Sequence, residues 1–224
     1  MFALVNENQQ LTFAVGFSFD QSFSYTDSSV DTDCGSSHTE HLGADPVGVI
    51  NDAGAGDLET AQDFLQSNLD AVFAVLDKND LGTQAKQKEI EAVVTPMFDF
   101  PLMAKLSLGK KHWTGLTPEN KDRFTALYIK RLLQSYLDKL TDYTDEKVIY
   151  GSAVEVDKKV HIPTDLVSKG SKTSMLYKLY ASKSGWMIYD LEIQGVSLIR
   201  SYRSQFNEIL KNGTFEDLIM KMEK

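Results

Sequence analysis

The chain has 224 residues, 42% hydrophobic and 25% charged, enough for one large core or two small domains. A net charge of −9 excludes a general nucleic-acid binder, which needs a basic face. The single cysteine, Cys34, excludes an internal disulfide, and no apolar run of roughly 18 residues is present to cross a membrane as a helix.

The charge divides the chain in two. Residues 1–57 carry nine of the 32 acids and no Lys or Arg, which leaves 23 acids against all 23 bases in residues 58–224. The opening residues, MFALVNENQQ, lack the basic start and sustained apolar stretch of a secretory signal. Over residues 9–25, Leu11, Phe13, Val15, Phe17 and Phe19 recur with period two, which predicts one strand. The pattern is also that of the last strand of an outer-membrane barrel, but one strand cannot close a barrel, and an edge strand or a remnant is the better expectation. Thr26–Asp57 is rich in Ser, Asp and Gly and predicts a flexible acidic linker.

An ordered domain is expected over residues 58–224. Phe64, Leu65, Leu69, Val72, Phe73 and Leu76 recur at three- and four-residue steps and predict an amphipathic helix over 58–78. A second helix is predicted over Thr83–Val94, stopping ahead of Thr95-Pro96. The aromatic segment Met97–Met103 follows, then Ala104–Leu108 with Gly109 as a helix stop. Thr117-Pro118-Glu119 opens a long helix running to about Tyr143. Beyond it the period becomes two. Lys147–Val156, Lys159–Leu166, Ser174–Ala181 and Trp186–Ile193 read as four strands with short polar connections, an antiparallel meander. A helix from about Val196 to Leu210 and a last turn or two at Phe215–Met222 complete an α+β arrangement.

Catalytic constellations are missing: there is no phosphate loop, GxSxG, HExxH or CxxC. His38 and His41 stand near Asp31, Asp33, Cys34 and Glu40, but the spacing is irregular and solvated side chains account for the group better than a metal site. Asp99 and Asp190 lie in apolar surroundings where a carboxylate serves either as a general base or as a helix cap; the cap is the commoner role. Arg200 and Arg203 share a helix face and suit either a phosphate or an ion-paired surface. The more informative feature is the apolar surplus on both strand faces: Met175, Tyr177 and Leu179 against Leu176 and Tyr180, then Trp186 and Ile188 against Met187, Tyr189 and Leu191. A filled core and an open apolar cavity fit this pattern equally.

Two segments carry a family resemblance: Phe98–Lys139, with Phe98-Asp99-Phe100, Met103-Ala104, Leu108-Gly109 and Trp113, and Trp186–Leu210, with Tyr189-Asp190, GVSL at 195–198 and YRSQF at 202–206. Together, over roughly residues 60–222, the chain resembles the MlaC (toluene-tolerance) family. The resemblance implies an antiparallel four-stranded NTF2-like curved sheet with a helical subdomain. It further implies a non-catalytic carrier in the periplasm that needs no cofactor and holds phospholipid acyl chains in an apolar cavity. Its implied partners are an inner-membrane ABC transporter complex and an outer-membrane lipoprotein complex, with only transient approach to the membrane. Strand direction and motif position then nominate Phe100, Trp113, Phe124, Tyr128, Tyr177, Leu179, Trp186, Ile188, Val196 and Leu198 as lipid-lining residues, and give Asp190 and Gly195 structural parts. Residues 1–57 depart from the family, whose members begin with a cleavable signal. Two rivals remain: an enzyme with an acid/base pair inside the cone, and an interaction module with a solid core.

Overall fold

The computed structural model describes residues 55–137, 147–168 and 170–224. The strand expected over residues 9–25, most of the acidic linker and the His38/His41 group lie outside the described residues, as does the end of the long helix. Helices come first: α1 (Ala55–Leu76), α2 (Thr83–Val94), α3 (Phe100–Leu108), α4 (Lys110–Trp113) and α5 (Pro118–Leu137). Strands β1 (Lys147–Tyr150), β2 (Val154–Val156), β3 (Lys159–Ser168), β4 (Ser171–Ser182), β5 (Gly185–Ile193) and β6 (Val196–Ser197) follow, and α6 (Leu198–Asn212) and α7 (Phe215–Glu223) close the chain.

α1 buries Ala61, Leu65, Leu69, Val72 and Leu76, the stripe its spacing dictates. The Lys86 ammonium of α2 donates to the Leu76 carbonyl at 2.6 Å and satisfies one group at the α1 C-terminus. α2 ends at Val94, ahead of Thr95-Pro96 as expected, and the chain continues as a separate 3-10 turn over Thr95–Met97, since proline is tolerated early in a helical turn. Phe98 then forms a parallel bridge with Ile188 of β5, and the Asp99 amide donates to the Ile188 carbonyl at 2.9 Å. The Asp99 carboxylate accepts the Leu102 amide at 2.9 Å and caps α3. This aspartate is therefore a cap that fastens the helices to the sheet.

The mixed helical and antiparallel architecture is the α+β class, with six strands rather than four. Both β1 and β2 pair with β3, followed in order by β4, β5 and β6. The first expected strand breaks at Gly151 because Pro163 of β3 stands opposite. Proline offers no amide to the ladder, and a Cβ on Gly151 would come within 2.8 Å of the Pro163 ring. The Gly151 amide still donates to the Pro163 carbonyl at 2.8 Å. A second correction concerns Val196, expected to start the closing helix. Gln194 and Gly195 both take positive φ, 48° and 80°, the backbone of a two-residue hairpin turn. Val196 and Ser197 thereby fold back on β5 as β6, and the helix starts at Leu198 with Ser197 as its cap.

A third difference lies in β5. The ladder between β4 and β5 shifts register at Lys178/Leu179: Leu179 faces Ile188, Lys178 faces Asp190 and Tyr177 faces Leu191, which leaves Tyr189 as an extra residue. This bulge turns Leu191 to the same side as Ile188, where strict alternation had placed it opposite. It also brings Asp190 under the start of α6, where its carboxylate accepts the Ser197 hydroxyl at 2.8 Å and the Ile199 amide at 3.3 Å. Asp190→Ala is expected to lower the unfolding free energy by ~2 kcal/mol through loss of these buried bonds, read from urea denaturation; an unchanged midpoint would contradict the cap.

Candidate functional site: the inner face of the sheet

The bulge extends the largely apolar face of β3 and β4 across β5, a face interrupted by Thr164 and Thr173. Val160, Ile162 and Leu166 of β3, Met175, Tyr177 and Leu179 of β4, and Ile188, Leu191 and Ile193 of β5 are all buried on it. α1 covers this face, and the Trp186 indole N–H donates to the Thr60 hydroxyl of α1 at 3.1 Å. Where α1 passes the β1–β2 corner an open cleft of about 590 Å³ remains, walled by Leu58, Glu59, Gln62 and Asp63 on one side and by Tyr150–Ala153 on the other.

Polar groups on this face are few. Thr164 is 3% exposed, and neither its hydroxyl nor the buried Tyr150 hydroxyl has a hydrogen-bond partner among the described residues. Burial, with a smaller contribution from Asp70, pushes the Tyr150 phenol up to about 12. Burial likewise raises the Tyr177 phenol, with Tyr150 adding to the effect.

The opposite face carries the charges. The Lys178 ammonium lies 2.5 Å from Glu192 and 3.4 Å from Asp190, and Arg200 pairs with the same Glu192 at 3.0 Å. The Arg203 guanidinium donates to the Leu106 carbonyl. Both arginines thus belong to a paired surface. Tyr180 donates to Asp99 at 2.5 Å, and that bond first, then burial, pushes its phenol up to about 12.

The nominated residues fall into two groups. Tyr177, Leu179 and Ile188 lie on the inner sheet face, Leu179 directly across from Ile188. Phe124 and Tyr128 belong to an aromatic cluster between helices: Phe124 stacks on Tyr128 at 6.2 Å and meets Phe206 edge-on at 5.4 Å, and Tyr128 meets Tyr202 at 5.1 Å. The Tyr128 hydroxyl is bonded to Ser107 at 3.1 Å. Half-buried Trp113 packs edge-on against Phe124 at 6.4 Å. Phe100 stacks on Phe98 at 5.5 Å beside the sheet junction, and Leu198 is buried at the head of α6. Trp186 is half-buried against α1, whereas Val196 stands 38% exposed on β6 and does not join the others. Sequence reasoning missed Thr164 and Tyr150. The signal was available for the first, because Thr164 interrupts the inward series Val160, Ile162, Leu166 with a hydroxyl. Tyr150 needed the Gly151 break to be seen.

Among the described residues no cluster of three or more His, Cys, Asp or Glu is fit to hold a metal ion, and no helix is long and apolar enough to cross a membrane. The fold and its inner face define a mixed α+β protein with one apolar side of an antiparallel sheet buried. The family model described as "MlaC protein" matches residues 66–224, and the chain belongs to that family. It is 22% identical over 171 residues to the intermembrane phospholipid transport system binding protein MlaC of Haemophilus influenzae, spanning 72% of this chain and 79% of that one. The fold is similar to that of a phospholipid-binding protein from Ralstonia solanacearum solved in complex with a phospholipid. The TM-score is 0.67 at 22% identity, over 73% of this chain and 94% of that one.

One pH effect follows from the outer face. Burial first, then the Lys178 charge, holds the His161 ring below its ordinary 6.5, against smaller opposing effects of Glu192 and Asp190. The unfolded chain therefore takes up this proton first as the pH falls. The stability held above about pH 6.5 is lost as the pH drops through the depressed folded value. His161→Gln is expected to flatten the decline in melting temperature between about pH 6.5 and 5; an unaltered slope would exclude His161 as its source.

Proposed function

We propose that this protein is a non-catalytic phospholipid carrier whose acyl chains lie against the inner face of β3, β4 and β5. The observation that carries the reading is the apolar surface spanning three strands, with a cleft at its rim where α1 passes the β1–β2 corner. The transport name of the Haemophilus relative and the phospholipid bound to the Ralstonia neighbour support it. Each methylene removed from water contributes ~0.8 kcal/mol, so two acyl chains supply ample holding energy without a cofactor or any covalent step. Release then requires a partner that binds empty and loaded forms unequally. An inner-membrane ABC transporter complex and an outer-membrane lipoprotein complex are the proposed donor and acceptor, with the periplasm as the compartment. The nominated residues on the sheet, Tyr177, Leu179 and Ile188, are proposed to touch the chains. Phe124, Tyr128, Phe100, Leu198 and Trp113 are proposed to support the cavity from the helical side.

Native mass spectrometry of the purified protein is expected to show a stoichiometric adduct of phospholipid mass. Leu179→Phe, which adds bulk on the inner face while staying apolar, is expected to reduce that adduct several-fold while cooperative unfolding is retained. A folded protein with no adduct and no uptake from liposomes would refute the carrier reading.

A further inference from the structure

The carrier reading leaves two buried hydroxyls unexplained. Tyr150 at the end of β1 and Thr164 on β3 are directly paired across the ladder. Both lie on the inner face, and both hydroxyl oxygens are buried without a partner among the described residues. A buried hydroxyl left unbonded costs about 1–3 kcal/mol, and native proteins retain few such groups without a use for them. Two on neighbouring positions of one face, inside an apolar surface, make a polar spot with spare donors and acceptors. Tyr128 shows the contrast, since its buried hydroxyl is matched by Ser107.

The surroundings restrict what this spot receives. Tyr150 also lines the cleft at the rim of the sheet, whose other charged walls are Glu59 and Asp63, with no cation among its lining residues. Asp70 is the charge that bears on the Tyr150 phenol. A phosphate would meet uncompensated negative charge here, whereas a neutral acceptor takes the hydroxyl protons without electrostatic cost. In a diacyl lipid the neutral acceptors are the ester carbonyls, and they stand between the acyl chains and the charged head. That order matches the position of the hydroxyls, between the apolar face and the open cleft. We infer that Tyr150 and Thr164 form an anchor for the ester carbonyls of a diacylglycerol-based lipid, an assignment that rests on the carrier reading. It makes the protein selective for the linkage of its cargo, with chain length read separately by the apolar face.

The test compares two phosphocholine lipids with identical chains, one ester-linked and one ether-linked, in competition against a fluorescent lipid on the full chain. The wild type is expected to prefer the ester lipid by about fivefold or more, the equivalent of one ordinary hydrogen bond. Tyr150→Phe and Thr164→Val should each reduce that preference, and together abolish it, while affinity for the ether lipid is unchanged. Both variants preserve shape and remove an unbonded hydroxyl, so the lipid-free protein should be as stable as the wild type or more so in urea. Tyr150→Phe alone, at the half-buried strand end, carries the test if the Thr164 variant fails to fold. Equal affinity of the wild type for both lipids would overturn the anchor and leave the carrier reading standing. The same holds for variants that weaken both lipids alike, and either result points to water as the hydroxyls' partner. Failure of the wild type to bind either lipid would overturn both.

Discussion

One extra residue in β5 organises much of this molecule. With Tyr189 bulged out of the ladder, Ile188 and the pair Leu191 and Ile193 point to the same side. Without it, strict alternation would send either Ile188 or the other two to the opposite face, and the apolar surface would end at β4. The same bulge brings Asp190 to the other side, beneath the first turn of α6. A local irregularity thus couples two things: a largely apolar face on one side of the sheet and the seat of the closing helix on the other.

The helical half is fastened to this strand at its other side. The Phe98 bridge and the Asp99 amide lock onto Ile188, while the Asp99 carboxylate caps α3 and accepts the Tyr180 hydroxyl. From there the aromatic side chains of α5 and α6 build a cluster whose ring geometries, largely edge-on, are those of tightly filled interiors. Arg131 of α5 donates to the Met222 and Lys221 carbonyls and so satisfies the end of α7. Three buried polar atoms stay without a partner among the described residues, the Gln205 amide oxygen of α6 and the Tyr150 and Thr164 hydroxyls of the sheet, and the two hydroxyls share one face.

The sequence made the large features legible for simple reasons. Helical stripes such as Leu65, Leu69, Val72 and Leu76, and the inward series Met175, Tyr177 and Leu179, are periodic signals that buried faces must produce. Asp99 was legible as a cap because it accepts an amide only three residues on, whereas Asp190 reaches the start of α6 through the β5 bulge and the Gln194-Gly195 turn. What escaped depended on backbone irregularity. Gly151 facing Pro163 splits a strand, Gln194-Gly195 turns the chain back before α6, and Tyr189 shifts the register. Each departs from the period on which sequence reading rests. The mismatch at Leu191 and the exposure of Val196 both follow from these departures. Candidate lining residues were legible only as apolar, which does not separate those on the sheet from those, such as Phe124 and Tyr128, that fill the helical interior.

The proposed binding surface is the inner face of β3–β5, near the cleft beside α1, in a family whose named relative serves intermembrane phospholipid transport. The most direct test is photolabelling with a phospholipid that carries a diazirine near the end of one acyl chain, followed by mapping of the labelled peptides. The account predicts labels within Val160–Leu166, Thr173–Leu179 and Ile188–Ile193. Labels confined to the exposed apolar side chains Ile149, Val154, Val156 and Met220, or to no peptide of the folded protein, would contradict it.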